Sequence, residues 1–542
     1  TWEAQFGQLM GIIGKIHRDD VQWKVRRPAF FQRFKRQHPR QLVMLHFDGY
    51  QRNPYWRMDP YFPGHFIHFE GEILPEDVPA TEEVTEIRIV EPRRYRTGIG
   101  RFQRDNDDLT ICELDEAGWP DWNRAECTRL VSIDAEAGTI RVERGMYGSE
   151  PRAFEGGRAY IAAQAYGGPW GPRSLEESPL IWTYNFAATC PRGPRGLTCS
   201  DVFVEEIARM FGPDGECALF DGVEFDVLSH LARLGRQGRW RTVDIDGDGV
   251  GDDGIVDGVN VYGVGVVQML KRLRNRLGED RLILGDGQAD RFNRAFHILN
   301  GIETEGWPIH NDPEITDWSG GWNRLAFWAR HSRAPRFSYI NHRFNGARGL
   351  IDVPFSRHRL VMAAGVMNDC TLTGTSLPRR DPDTGRQIWD EYWQGTEKTL
   401  GWMGMPEGPT AHLGLRAPDV LAGRAAPWIP AMVARCRPGE GTRLRFEDGA
   451  LRVEARGRGE TGGSMFVLKD IPCSGPDLLV SARVRAEPMA GYPEEIARLG
   501  YVGVRPAAGM SMPEEPTMVG IRLRNSEEER PELDYRAVAT AD

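Results

Sequence analysis

Short apolar runs that close in polar or acidic residues recur along this chain, and each such run predicts a β-strand ending in a functional-looking side chain. Seven segments fit: Gln41 to Asp48, Leu180 to Phe186, Cys217 to Asp226, Arg281 to Asp286, Leu299 to Glu305, Arg336 to Asn341 and Arg359 to Ala364. Between several of them, Val202 to Phe211, Val261 to Leu277 and Trp322 to His331 repeat apolar residues at helical spacing. In the second of these the Lys and Arg residues gather toward the C-terminal end, where the helix dipole favours positive charge. Strand and helix in alternation imply a parallel sheet, so the expected fold class is α/β, a (β/α)8 TIM-type barrel. Closure needs an eighth strand, expected before Thr1, hidden in the first thirty residues, or irregular.

Two stretches break the alternation. From about Pro79 to Ala163 the chain becomes strand-rich, with Glu86 to Val90, Thr128 to Ile133 and Thr139 to Glu143, the last two separated by the turn-like Asp134 to Gly138. This reads as a β-rich insertion on a barrel loop. After Pro427 strict alternation takes over in Thr442 to Phe446, Ala450 to Glu454, Leu478 to Val484 and Val519 to Leu523, which predicts a C-terminal β-sandwich. The expected division is a catalytic barrel from residues 1–78 and 164–426, the insertion at 79–163, and the sandwich at 427–542.

A length of 542 residues exceeds what one hydrophobic core serves, in keeping with several units. With 40% hydrophobic and 27% charged residues the composition is that of a globular protein. A formal charge of -10 with scattered basic residues speaks against nucleic-acid binding, and no apolar stretch approaches the ~20 residues of a membrane span. The chain begins at Thr1 without Met, which fits either removal of an export signal or trimming. Oligomeric state has no signature here.

Eight cysteines pair by proximity as 112–127, 190–199 and 436–473, leaving Cys217 and Cys370 for each other, although eight cysteines allow 105 connectivities. Disulfides would place the protein outside the cytoplasm, secreted or periplasmic; eight buried thiols in a cytosolic protein are the alternative. None stands in a Cys-x-x-Cys spacing, which argues against zinc or a redox motif.

The chemistry concentrates in two acidic segments, Asp221-Gly-Val-Glu-Phe-Asp226 and Asn300-Gly-Ile-Glu-Thr-Glu-Gly-Trp-Pro308. Side chains alternate along a strand, so Glu224 and Asp226 share one face and Asp221 takes the other. Asp226, nearest the C-terminal end, is the expected nucleophile or charge stabiliser, with Glu224 second and Asp221 able instead to hold a strand terminus. Glu303 and Glu305 also share a face, and neighbouring glutamates raise each other's pKa as a proton donor requires. Glu305, beside Trp307, is the expected acid/base; pairing of one glutamate with an Arg is the structural alternative.

His46, Asp48, Asn185, Asp286 and Asn341 also end strands and, with Asp221 and Trp307, make the expected substrate-binding set. Sixteen tryptophans supply faces for sugar stacking, among them Trp182, Trp307, Trp318, Trp322 and Trp393, though core packing explains most single Trp residues. Asp244-Ile-Asp-Gly-Asp-Gly-Val-Gly-Asp-Asp253 spaces Asp244, Asp246, Asp248 and Asp252 like the first ligands of an EF-hand, with Gly249 at its turn. Ile255 stands where the twelfth-position Glu belongs, so Asp253 or Asp257 would complete the shell of a structural calcium. A solvated acidic turn is the alternative, and no organic cofactor is called for.

The signatures Asp221-Gly-Val-Glu-Phe-Asp226 and Asn300-Gly-Ile-Glu-Thr-Glu-Gly-Trp-Pro308 resemble those of barrel-shaped glycoside hydrolases similar to the endo-alpha-1,4-polygalactosaminidases. Asp390-Glu-Tyr-Trp-Gln-Gly and Gly401 to Pro409 look like the closing segment of such barrels. The resemblance implies Asp226 and Glu305 as the catalytic pair and covers about residues 40 to 410 without the insertion. The expected function is hydrolysis of a polysaccharide or oligosaccharide, retaining or inverting according to a carboxylate separation of about 5 Å or of about 6.5–9.5 Å. Its rivals are a non-catalytic carbohydrate-binding or cell-surface protein and, less in keeping with a loop that lacks His, a metal-dependent hydrolase centred on the Asp-rich loop.

Overall fold

The computed structural model describes residues 11–14, 28–168, 180–232, 241–286, 295–305, 318–341, 345–346, 349–350 and 355–373, and short strands between 428 and 535. The chain divides into two units, Thr1–Arg281 and Leu282–Asp542.

In the first unit, β1 (Gly11–Gly14), β2 (Leu42–Asp48) and β3 (Gly222–Asp226) run parallel in that order. The eighth-strand question thus finds a partner for β2 within the first thirty residues. The period-2 alternation of β2 and β3 decides which residues meet. Phe47 and Phe225 both pack on Phe203 of the helix α2 (Cys199–Phe211), at centroid distances of 5.8 and 5.7 Å. His46, Asp48, Glu224 and Asp226 consequently share the opposite face. The helix starts where it does because Thr198 and Asp201 cap it reciprocally. It is preceded by α1 (Pro28–Gln37), which opens on Pro28, a residue suited to a first helical position.

The chain leaving β2 is fastened to α2 by Arg52. Its buried guanidinium makes a fork onto Glu206 at 2.9 and 3.1 Å, and Trp56 and Tyr61 lie across its faces, each with the ring centroid 4.4 Å away. Such a pair is desolvated on both sides, so removing one partner strands the other charge.

Most of the remaining strands of this unit are antiparallel. Glu72–Ile73, Ala159–Ala163, Asp108–Leu114, Pro120–Asp134, Thr139–Glu143 and Thr85–Arg88 form a six-stranded sheet in that order. The strands expected within the insertion lie here, around a core that includes Leu109, Ile111, Ile140, Val142 and Ile161. The helix α3 (Val261–Leu277) matches the predicted segment, capped by Asn260 whose side chain accepts from the Gly263 amide.

The second unit carries β4 (Leu282–Asp286), β5 (Gly301–Glu305), β6 (Tyr339–Asn341) and β7 (Thr371–Thr373), parallel in that order, with α4 (Trp318–His331) and α5 (Phe355–Met367). Beyond residue 427 the described strands pair antiparallel, and Arg443–Glu447, Ala450–Glu454 and Met518–Leu523 fall on three of the four expected runs. Leu478 to Val484, Asp390 to Gly395 and Gly401 to Pro409 lie outside the described residues.

These observations overturn the (β/α)8 barrel. The first unit contributes three of the parallel strands and the second four, the first unit also holds antiparallel sheets of six and three strands, and the described residues hold only five α-helices, too few to alternate with eight parallel strands. Two of the seven expected parallel strands are something else. Ile181–Thr183 pairs antiparallel with Tyr166–Gly167 and Gln51–Arg52, and Arg359 to Ala364 lies inside α5. Short apolar runs do not distinguish strand direction, or strand from buried helix, and both errors arise there.

The disulfide expectation also fails within the described residues. Cys112, Cys127, Cys190, Cys199, Cys217 and Cys370 are all unbridged and buried. Cys112 faces Ala125 across the ladder, while Cys127 faces Thr110. Burial pushes the thiols of Cys127 and Cys190 up to about 12, so they behave as small apolar side chains. The pairings expected at 112–127, 190–199 and 217–370 therefore lend no support to an oxidising compartment, and Cys436 and Cys473 lie outside the described residues. Among the described residues no helix is long and apolar enough to cross a membrane.

Candidate functional site

The parallel register of β2 and β3 sets Glu224 beside His46 and Asp226 beside Asp48. The Nδ1 of His46 meets Oε2 of Glu224 in a short contact, and its Nε2 lies 3.3 Å from Oδ2 of Asp226. One imidazole therefore spans two carboxylates. Exposure rises along the series, from 0% for the Glu224 side chain through 15% for His46 to 34% for Asp226. Only the last carboxylate is open enough to meet a substrate. The sequence nominates all three residues but assigns Glu224 to catalysis and His46 to substrate binding; here Glu224 is out of reach of solvent and touches His46 instead.

Three of the nominated residues have structural work. Asp48 closes the turn after β2, its Oδ1 accepting from the amides of Tyr50 and Gln51 at 2.8 and 2.7 Å. Asp221 stands at the opposite end of β3 from Asp226, held by Lys35 at 2.8 Å and by the Val43 amide at 2.7 Å. Asn185 is buried and donates to the Ile245 carbonyl at 2.7 Å. Each satisfies backbone groups or a partner charge, a structural role in addition to the substrate contact expected of it.

The second unit has its own cluster at the C-terminal ends of β4, β5 and β6. Asp286 is in register with Glu303, and Glu303 with Tyr339. The buried Glu303 carboxylate accepts from Tyr339 Oη at 2.7 Å and from Asn341 Nδ2 at 2.5 Å. Asn341, expected to bind substrate, thus orients a carboxylate, and Tyr339 was not foreseen at all. Glu305 ends β5 in register with Asn341; its side chain, and all of Trp307, lie outside the described residues.

The Asp-rich loop follows Val243–Asp244, which pairs with His68–Phe69. Asp244, Asp246 and Asp252 bring one carboxylate oxygen each to within 4.8 Å of one another. Asp248 and Asp253 accept from the amides of Val250 and Val243, as Asp244, Asp246 and Asp252 accept from those of Gly249, Asp248 and Gly254. Burial raises the Asp244 carboxyl to about 8 against the pull of the Gly249 and Gly247 amides, and Asp246 and Asp248 push it further up. Asp246 and Asp252 are raised as well, by burial first and then by neighbouring carboxylates. Gly249, at φ +92°, has the left-handed backbone that lets the loop fold back on Asp244. Three crowded carboxylates with all-oxygen donors fit a hard divalent cation, whose charge would relieve the repulsion. Trp122 and Tyr160 of the six-stranded sheet donate to the Gly247 and Gly249 carbonyls at 2.9 and 3.2 Å, fixing the loop from outside.

No known protein family matches the chain, and no curated protein sequence matches it.

Proposed function

We propose that this chain is a glycoside hydrolase acting on a polysaccharide or oligosaccharide, with Asp226 as the carboxylate that attacks or stabilises the anomeric carbon. The observation that supports it is the series Glu224, His46, Asp226: a partly exposed carboxylate at the end of a parallel strand, backed by an imidazole that rests on a buried carboxylate. Displacement at an acetal carbon demands a carboxylate held in one orientation and reachable by the sugar. It also demands a carboxyl that protonates the leaving oxygen and later activates water. Glu305 takes that role from its place in the sequence, with Glu303 as its competitor. We propose further that Asp244, Asp246 and Asp252 hold a structural calcium ion, which takes no part in bond breaking.

The test is incubation with a broad polysaccharide panel, read by release of reducing ends, with Asp226→Asn and Glu305→Gln in parallel. Loss of release in both variants at unchanged melting temperature is the expected result. Release that survives both substitutions overturns the assignment. Sugar binding without release from any polymer favours a carbohydrate-binding protein instead.

A further inference from the structure

We propose that Glu224 and His46 are positioning residues for Asp226, with His46 held as an imidazolium between two carboxylates. The catalytic consequence rests on the reading of Asp226 as the reacting carboxylate, whereas the charge state of His46 rests on the geometry alone. Glu224 is wholly buried; among the described residues its contact is with His46, and its second oxygen, Oε1, has no hydrogen-bond partner. A carboxylate taken out of water needs an opposite charge or several donors, and His46 is what the fold provides.

The other ring nitrogen faces a second carboxylate, Asp226 Oδ2 at 3.3 Å. Nδ1 meets the Glu224 carboxylate as a donor and Asp226 brings a second carboxylate to the other side of the ring, and two flanking negative charges favour the positively charged imidazole. Glu224 fixes the ring through Nδ1, which leaves Nε2 3.3 Å from Asp226 Oδ2 in an ion-pair contact rather than an aligned hydrogen bond. The backbone pairing of β2 with β3 holds the arrangement, because Glu224 and His46 are register partners and the ring cannot slide along the strand. A buried carboxylate thereby orients an exposed one through a charged ring, with neither Glu224 nor His46 touching substrate.

The test uses the full chain with ¹⁵N-labelled histidine, reading ring-nitrogen shifts at neutral pH and identifying His46 by loss of its signal in His46→Asn. In the wild type both His46 nitrogens are expected in the protonated range, and Glu224→Gln is expected to return the ring to a neutral tautomer. On a substrate that the wild type cleaves, Glu224→Gln lowers kcat about 100-fold while KM moves less than about twofold, and Glu224→Asp, which keeps the charge, recovers part of kcat. A neutral His46 in the wild type overturns the proposal, even should Glu224→Gln fail to fold; so does an unchanged His46 signal in Glu224→Gln. A polysaccharide panel without turnover defeats the hydrolase reading and leaves the ring-nitrogen result to decide the relay.

Discussion

His46 and Glu224 are register partners on adjacent parallel strands, and two residues further on Asp48 and Asp226 are partners in turn. Because side chains repeat every second residue, that single register places four ionisable groups on one face while Phe47 and Phe225 go to the other, beneath Phe203. A slip of one residue would bury the charges under α2, so packing and chemistry are fixed together.

The two aspartates at the ends of β3 separate activity from stability. Asp226→Asn is expected to lower turnover by about 1000-fold or more, as loss of a reacting carboxylate does, with little change in melting temperature because the side chain is partly exposed. Asp221→Asn is expected to leave kcat alone and cost about 1–3 kcal/mol, since it weakens the contacts with Lys35 and the Val43 amide. Thermal melts and initial rates on both variants decide it; a reversed pattern sinks the assignment.

The Asp-rich loop predicts a coupling between calcium, protons and stability. In the ion-free fold Asp244 is raised from 3.8 to about 8, so the folded state holds a proton that the unfolded chain has lost across that interval. Stability without calcium therefore falls as pH rises from about 4 to about 8 and levels off above. Calcium binds the deprotonated loop, so its affinity grows over the same interval. At 100 times Kd it is expected to add about 2.7 kcal/mol. Melting curves at pH values across this range, with calcium and with a chelator, check both slopes, and Asp244→Asn is expected to abolish the difference. Equal melting temperatures with and without calcium at the upper end of the range would remove the ion from the account.

The strands at 42–48, 222–226, 282–286 and 301–305 were legible because each is an apolar run with a polar end, and α3 was legible from its helical period. What the pattern cannot carry is pairing. Nothing in Leu180 to Phe186 tells that Ile181–Thr183 will lie antiparallel between two other strands, and Arg359 to Ala364 is as apolar as a strand but lies in α5. The same blindness applies to the site. The carboxylates were conspicuous, yet the link from Glu224 to His46 depends on a register between segments 178 residues apart. Tyr339, hydrogen-bonded to Glu303, carries no signal in a single sequence beyond its place near a strand end.

Gly265 offers a test of packing inside α3. A Cβ there would run into the carbonyl oxygen of Phe186 and the backbone of Ala187 and Ala188. Helix propensity alone makes Gly→Ala favourable by about 1 kcal/mol at an interior position. The close backbone approach reverses the sign, and Gly265→Ala is expected to destabilise by about 1–3 kcal/mol as overpacking does. Chemical denaturation of the variant gives the answer, and a stabilised Gly265→Ala would show that α3 does not sit this close.

The choice between Glu303 and Glu305 turns on what a proton donor requires. Glu303 is buried, and both of its oxygens are taken, Oε2 by Tyr339 and Oε1 by Asn341. A carboxyl fastened at both oxygens is poorly placed to reach a leaving oxygen, which favours Glu305 as acid/base and Glu303 as a group that shapes the site. Glu305→Gln is therefore expected to lose activity most severely on substrates with poor leaving groups and to retain more of it on activated aryl glycosides, whose departure needs no protonation. Glu303→Gln is expected to lower both to a similar extent, and Tyr339→Phe, which removes one donor, to do so more weakly. Measured leaving-group dependence distinguishes the two glutamates, and a strong dependence in Glu303→Gln with none in Glu305→Gln would exchange their roles.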